Sequence, residues 1–172
     1  MDSVSASASA SDPIVLSDYV TSLPIELVPG PCWEFNLRHL LPPDGWALCK
    51  RFVRRRSGDR CEVCGGRGRR WPVECHEVWG YDDDRHVQHL RGLVALCPDC
   101  HAAKHPGFAG TQGTLERTLN HYARVNAVSP AQARRDHNAA MAQFEERSRH
   151  DWDLDISWLA GSGILRSASD RS

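Results

Sequence analysis

The sequence predicts an α+β fold in which helices flank a small β element, and three observations carry that reading. Cys61-Glu-Val-Cys64 and Cys97-Pro-Asp-Cys100 form two CxxC knuckles, a pairing suited to one tetrahedral metal. Between them, Val73 to Trp79 alternates with the period of two expected of a strand. Beyond them, residues 114–149 carry helical spacing. The length of 172 residues suits one domain with appendages, large enough to bury a core. A net charge of −1 excludes nucleic-acid binding by global charge, while leaving room for a local patch. No apolar run approaches the ~18 residues of a membrane span, so no membrane partner is expected.

Taken in order, residues 1–12 are a Ser/Ala/Asp tract expected to be disordered. Their Met1-Asp2-Ser3 start has neither the basic nor the apolar part of a secretory signal. Residues 13–58 form an N-terminal unit: a proline-punctuated extended stretch, a short helical turn at Asn36–Leu41, and a lead-in helix. That helix should run from Trp46 to Arg56, with Asp44 as its N-cap and Ser57-Gly58 as its stop. Residues 59–110 hold the Cys/His-rich core, which Pro106-Gly107 terminates before a loop from Gly110 to Gly113. Residues 111–160 begin with a Thr114-capped helix bearing Leu115, Leu119 and Tyr122. Ser129-Pro130 then opens a second helix reaching about Arg149. Trp152, Leu154, Ile156 and Trp158 alternate with polar residues as a strand or extended tail would. Residues 161–172 should fray.

Seven cysteines in a chain without an export signal point to metal rather than disulfides. The two knuckles supply four thiolates, Cys61, Cys64, Cys97 and Cys100. A four-thiolate zinc leaves no open coordination position, so its role is structural. Gly65 and Gly66 suit the turn of the first knuckle. His76 lies in the alternating segment and His101 directly follows the last knuckle. If Asp99 or Cys100 begins a helix, His101 and His105 share one face at i and i+4, although Pro106 disfavours helical geometry at His105. The zinc clamp can thus gather His76, His101 and His105 into one neighbourhood.

Cys61-x2-Cys64, His76 and Leu93-Val94-Ala95-Leu96-Cys97-x2-Cys100-His101 resemble the HNH endonuclease family in its zinc-knuckle form. The resemblance covers residues 61–105. It extends upstream, where Pro31 to Arg38 and the Trp46 helix look like the lead-in of phage and bacterial members. It implies a ββα-metal core, here with a four-cysteine zinc site and flanking helices. It also implies metal-dependent hydrolysis of DNA phosphodiester bonds, leaving 5′-phosphate and 3′-hydroxyl ends. By position, His76 takes the general-base slot, activating water. His101 takes a metal-ligand slot, and His105 a second ligand or phosphate contact. The catalytic ion implied is divalent: Mg2+, Mn2+, Ni2+, Co2+ or Zn2+. The cytoplasm of a bacterium or phage-infected host is the implied compartment.

Two positions depart from the family pattern. The residue before the base is usually Asp or His and binds the metal; here it is Cys75, whose soft thiolate would favour a transition metal. Alternatively Glu74 or Glu77 supplies an oxygen. Alternation places Glu74 on the His76 face, while a bulge near Gly80 could bring Glu77 round. The second departure is Gly92, where the family often carries an Asn that braces the base; His86, Gln88 or His89 could replace it.

Charge is segregated. Lys50, Arg51, Arg54, Arg55, Arg56, Arg60, Arg67, Arg69 and Arg70 face only Asp59 and Glu62 between residues 50 and 70, a local +7. Beside an HNH-like motif this reads as a phosphate-binding face, with Arg54, Arg55, Arg56, Arg67, Arg69, Arg70 and Lys104 as DNA contacts. His39, His121, His137 and His150 read as background, Asp82-Asp83-Asp84 as a solvated turn or cap in preference to a second metal site, and Trp33, Trp46, Trp71 and Trp79 as core or zinc-site packing in preference to base-stacking platforms. The competing expectation is a non-catalytic DNA-binding zinc module, favoured by Gly92 and Cys75. A third is a component of a phage or mobile-element complex whose cutting needs a protein partner; a homodimer is also open.

Overall fold

A computed structural model describes residues 22–165. The tract 1–12 and most of the tail 161–172 lie outside the described residues, as does the extended stretch before Ser22. Among the described residues the chain is mixed α+β, with one three-stranded sheet.

A 3-10 turn at Gly30–Cys32 leads to α1 (Leu37–Leu40), whose N-cap Asn36 accepts a hydrogen bond from His39 N at 3.1 Å. Helix α2 spans Pro43–Ser57. It starts earlier than the expected Trp46, because Pro43 occupies the first helical position that suits proline. Asp44 is therefore not the cap but an acid in the first turn, where it complements the helix dipole. The stop is as expected: Gly58 takes the left-handed conformation at φ +59° and returns its N–H to Arg54 O.

Strands β1 (Glu74–Asp82) and β2 (Val87–Leu96) form an antiparallel hairpin, with His76 opposite Val94 and a register shift between Val78 and Trp79. Asp82 turns the hairpin, its Oδ1 accepting from Arg85 N at 3.0 Å, and Asp83 pairs with Arg147 at 2.6 Å. From Gly92 to Leu96 every residue of β2 is buried, the pattern of a strand covered on both faces. Helix α3 (Pro98–Lys104) follows directly.

Proline ends α3 as expected but does not open a loop. Pro106 starts α4 (Pro106–Thr111), which carries Gly110 inside a helix; a residue without an N–H fits a first turn. Helix α5 (Leu115–Val125) buries Leu119 and Tyr122 at the expected spacing. Thr114 does not cap it, since its hydroxyl donates to Ala109 O at 3.3 Å. Helix α6 (Pro130–Arg147) is capped by Ser129, which accepts from Gln132 N at 3.1 Å.

The alternating segment at 152–158 divides in two. Strand β3 (Asp153–Asp155) pairs in parallel with β2, Val87 opposite Asp153. Asp155 Oδ1 then accepts from Ser157 N at 2.8 Å, turning the chain into α7 (Ser157–Gly161). Helices α2, α3 and α7 pack against the sheet. The core joins Leu37, Val53, Leu93, Leu96 and Cys100. Trp46 and Trp79 are buried as expected, whereas Trp33 and Trp71 are exposed. Among the described residues no helix is long and apolar enough to cross a membrane.

Candidate functional site

The first knuckle is a tight turn. Gly65, at φ +69°, donates its N–H to Cys61 O, and Cys61 N donates to Gly66 O, both at 2.9 Å. Glu62 stitches this turn to β2: its N–H reaches Ala95 O at 2.9 Å, and its Oε2 accepts from Ala95 N at 2.7 Å. Cys97 then caps α3, placing Cys100 on the first helical turn. The sulfurs of Cys61, Cys64, Cys97 and Cys100 lie within 4.8 Å of one another, with Cys64 and Cys97 3.6 Å apart. Four soft donors at one point could hold a metal ion. Crowding sets their acidities apart: hydrogen bonds with Cys100 and Cys97 drive the Cys61 thiol down, and those with Cys61 and Cys97 drive Cys100 up.

His121 on α5 reaches this cage, with Nε2 3.1 Å from Cys100 Sγ. It was expected to be background; α5 delivers it from 21 residues away, and no local spacing marks it. Cys32 and Cys49 are buried, and burial pushes both thiols up to about 11, so they pack as neutral side chains.

The second cluster is histidine. His76 on β1, His101 on α3 and His105 at the α3 C-cap offer ligand atoms within 4.8 Å of one another. Ring centroids stand 5.0 Å apart for His76–His101 and 4.7 Å for His76–His105. His105 leaves helical geometry at φ −120°, ψ 60°, as Pro106 requires. Its Nδ1 lies 2.7 Å from Glu26 O. A carbonyl only accepts, so Nδ1 carries the proton and Nε2 turns its lone pair to His76 Nε2, 3.2 Å away. Glu74 Oε2 meets His101 Nδ1 in the same way, which orients that ring as carboxylates orient metal-binding imidazoles. His76 is 6% exposed; burial, then His105, Lys104 and His101, hold it well below the usual histidine range. Burial lowers His105 to about 4. Both rings are neutral at pH 7, the state that accepts a proton or binds a metal.

Of the three candidates for an additional ligand, Glu74 alone touches the cluster. Glu77 Oε1 accepts from Leu37 N at 3.0 Å, tying β1 to α1. Cys75 lies on the neighbouring strand position, and burial, then Glu77, raises its thiol, disfavouring the thiolate. Gly92 sits inside β2 opposite Val78, beside the register shift. Of its possible substitutes, the two histidines are engaged elsewhere. His89 Nδ1 meets Asp155 at 3.1 Å, and His86 stacks on His150 with centroids 4.2 Å apart. Gln88 is buried on β2 with neither amide atom hydrogen-bonded. Glu74 and the Glu26 carbonyl brace His101 and His105.

A groove of about 710 Å³ runs from the cluster, lined by Arg38, Lys50, Arg51, Arg54, Trp71, Glu74 and His101 among others. The expected basic contacts separate on inspection. Arg54 lines this groove but pairs with Asp59 at 2.7 Å. Arg55, with Arg51, lines the next groove. Arg69 and Arg70 are exposed, and Arg70 lies 5.7 Å from the Trp71 ring centre. Arg67 donates to Gly58 O at 2.8 Å. Two are structural, contrary to expectation. Arg56 clamps Glu62 through two bonds, at 2.8 and 2.6 Å, and donates to Leu93 O at 2.7 Å. Lys104 is 2% exposed and pairs with Glu26 at 2.8 Å, so no phosphate reaches it. Arg38, upstream of the basic run, joins the groove because α1 folds back beside α2.

No protein-family model, no curated protein and no solved structure matches this chain.

Proposed function

We propose that this chain is a metal-dependent DNA endonuclease built on an HNH-type ββα-metal core, with structural zinc in the four-cysteine cage. The observation that carries the reading is the convergence of His76, His101 and His105, with His101 lining a basic groove. The donor set fits a divalent ion: His101 and His105 each have Nδ1 held by an oxygen acceptor, which leaves Nε2 as the atom with a lone pair to offer a metal. A bound ion supplies Lewis-acid stabilisation of the phosphoryl oxygens and the departing 3′ oxygen. His76, neutral and buried, takes the proton of the attacking water. Lys50 and Arg51 hold the backbone phosphates in the groove.

A second reading rests on the 3.2 Å approach of His76 Nε2 to His105 Nε2. All three imidazoles could then grip one ion without activating water, giving a DNA-binding zinc module. Cleavage of plasmid and of single-stranded DNA with magnesium, manganese, nickel, cobalt or zinc separates the two, with DNA binding measured alongside. We expect metal-dependent cleavage of at least one of these DNAs that His76→Ala abolishes while binding persists. Cleavage that survives His76→Ala removes the base from this role. Binding without cleavage by any ion selects the second reading.

A further inference from the structure

Two tryptophans stand in water, each lining a groove that includes one histidine of the cluster. Trp71 is 60% exposed and lines the basic groove with Lys50, Arg51 and His101. Trp33 is 64% exposed and lines an apolar groove of about 450 Å³ with Leu27, Met141, Phe144 and His105. His101 lines one groove and His105 the other, and their ring centroids stand 5.5 Å apart within one cluster. Indoles are highly buried on average, and leaving two large apolar faces in water forgoes their transfer energy. Neither ring dangles. Trp33 Nε1 donates to Val28 O at 2.9 Å, and the Arg70 guanidinium lies 5.7 Å from the Trp71 ring centre.

An aromatic face beside a cationic track binds single-stranded nucleic acid, because every base offers a face to stack whatever its identity. Bases inside a duplex are already stacked on one another and cannot reach such a platform. The Lys50–Arg51 side of the basic groove complements the phosphates, and the indoles complement the bases. Resting on the nuclease reading above, we propose that the cluster acts on an unpaired DNA strand. One base stacks on Trp71 on one side of the scissile phosphate, and another stacks on Trp33 on the other side. The two grooves are then one binding track with the reacting phosphate in the middle.

Fluorescence anisotropy of a labelled single-stranded oligonucleotide and of its duplex, at one stated salt concentration, tests this on the full chain with zinc present. Single strand should bind tighter than duplex. Trp71→Ala and Trp33→Ala should each weaken single-strand binding about tenfold and leave duplex binding unchanged, which also reports that the variants are folded. Trp71→Phe should restore most of the loss. Equal or tighter binding of duplex, or wild-type single-strand affinity in both alanine variants, overturns the inference and leaves the endonuclease reading standing. Binding to neither form of DNA overturns both.

Discussion

His121 Nε2 approaches Cys100 Sγ to 3.1 Å, while Arg124 Nη2 approaches His121 Nδ1 to 2.6 Å. A guanidinium only donates, so Nδ1 must accept and Nε2 must carry the proton directed at the sulfur. The three residues form a relay whose last bond delocalises charge from a cage sulfur. Partners of this kind are worth roughly 10–100-fold in metal affinity. His121→Ala should weaken zinc retention by that order, and Arg124→Ala should do so less, both measured by competition with a chromophoric chelator. An unchanged affinity in His121→Ala would reduce the contact to packing.

Arg56 and Arg51 lie on the same helix and should fail in different ways. Arg56 ties α2 to Glu62 and to the Leu93 carbonyl with both side chains largely covered. Truncating it leaves a carboxylate without its partner, a loss of about 2–4 kcal/mol. Arg56→Ala should therefore lower the urea midpoint while leaving the salt dependence of DNA binding as it is. Arg51→Ala should keep the midpoint and reduce the slope of log affinity against log salt by about one. The reverse pattern would return Arg56 to the DNA face.

The Glu26–Lys104 pair is buried, the carboxylate bonded at 2.8 Å. Burial raises Glu26 while Lys104 opposes that shift. Removing one partner strands the other charge at a cost of about 3–5 kcal/mol, whereas an apolar pair of similar volume can be neutral. Glu26→Ala should therefore destabilise far more than Glu26→Leu combined with Lys104→Met. Equilibrium denaturation of the two variants gives the comparison; equal losses would show that packing, not charge, holds this strap.

Asp155 gives a pH signature. Hydrogen bonds from Ser157, side chain and then backbone, and a third from His89 hold its carboxyl down to about 2. Its contribution is present above the ordinary Asp value of about 3.9 and is lost as pH falls through the depressed one. The difference in melting temperature between wild type and Asp155→Ala should be constant from about pH 5 to 7. It should narrow as the pH drops below about 4. A gap that stays constant down to about pH 2.5 would place the effect in chain geometry rather than charge.

Features set by neighbours in the chain were legible beforehand. The knuckles, the Gly58 stop, the Asn36 turn and the Ser129 cap each depend on a few adjacent residues whose backbone preferences decide the outcome. The gathering of His76, His101 and His105 was legible through the motif that spans them. What escaped is non-local. Lys104 reads as a surface cation until Ile25–Val28 is laid across the end of α3, where Glu26 N donates to Lys104 O at 2.8 Å. His121 reads as an ordinary helical residue until α5 packs on α3. Trp33 and Trp71 read as packing because residue type says nothing of which side a loop presents. Strand β3 was expected to run longer; Asp155 ends it by turning its carboxylate onto Ser157 N.

The parallel pairing of β2 with β3 has a consequence for the order of assembly. Four helices separate the two strands in the chain, whereas all four cage cysteines precede α5. The hairpin and cage can close during synthesis while the Val87–His89 edge still has no neighbour. An open edge of this kind is a template for another chain. A nascent molecule is therefore open to edge pairing after the four cysteines emerge and before β3 does, the interval in which α4 to α6 are made.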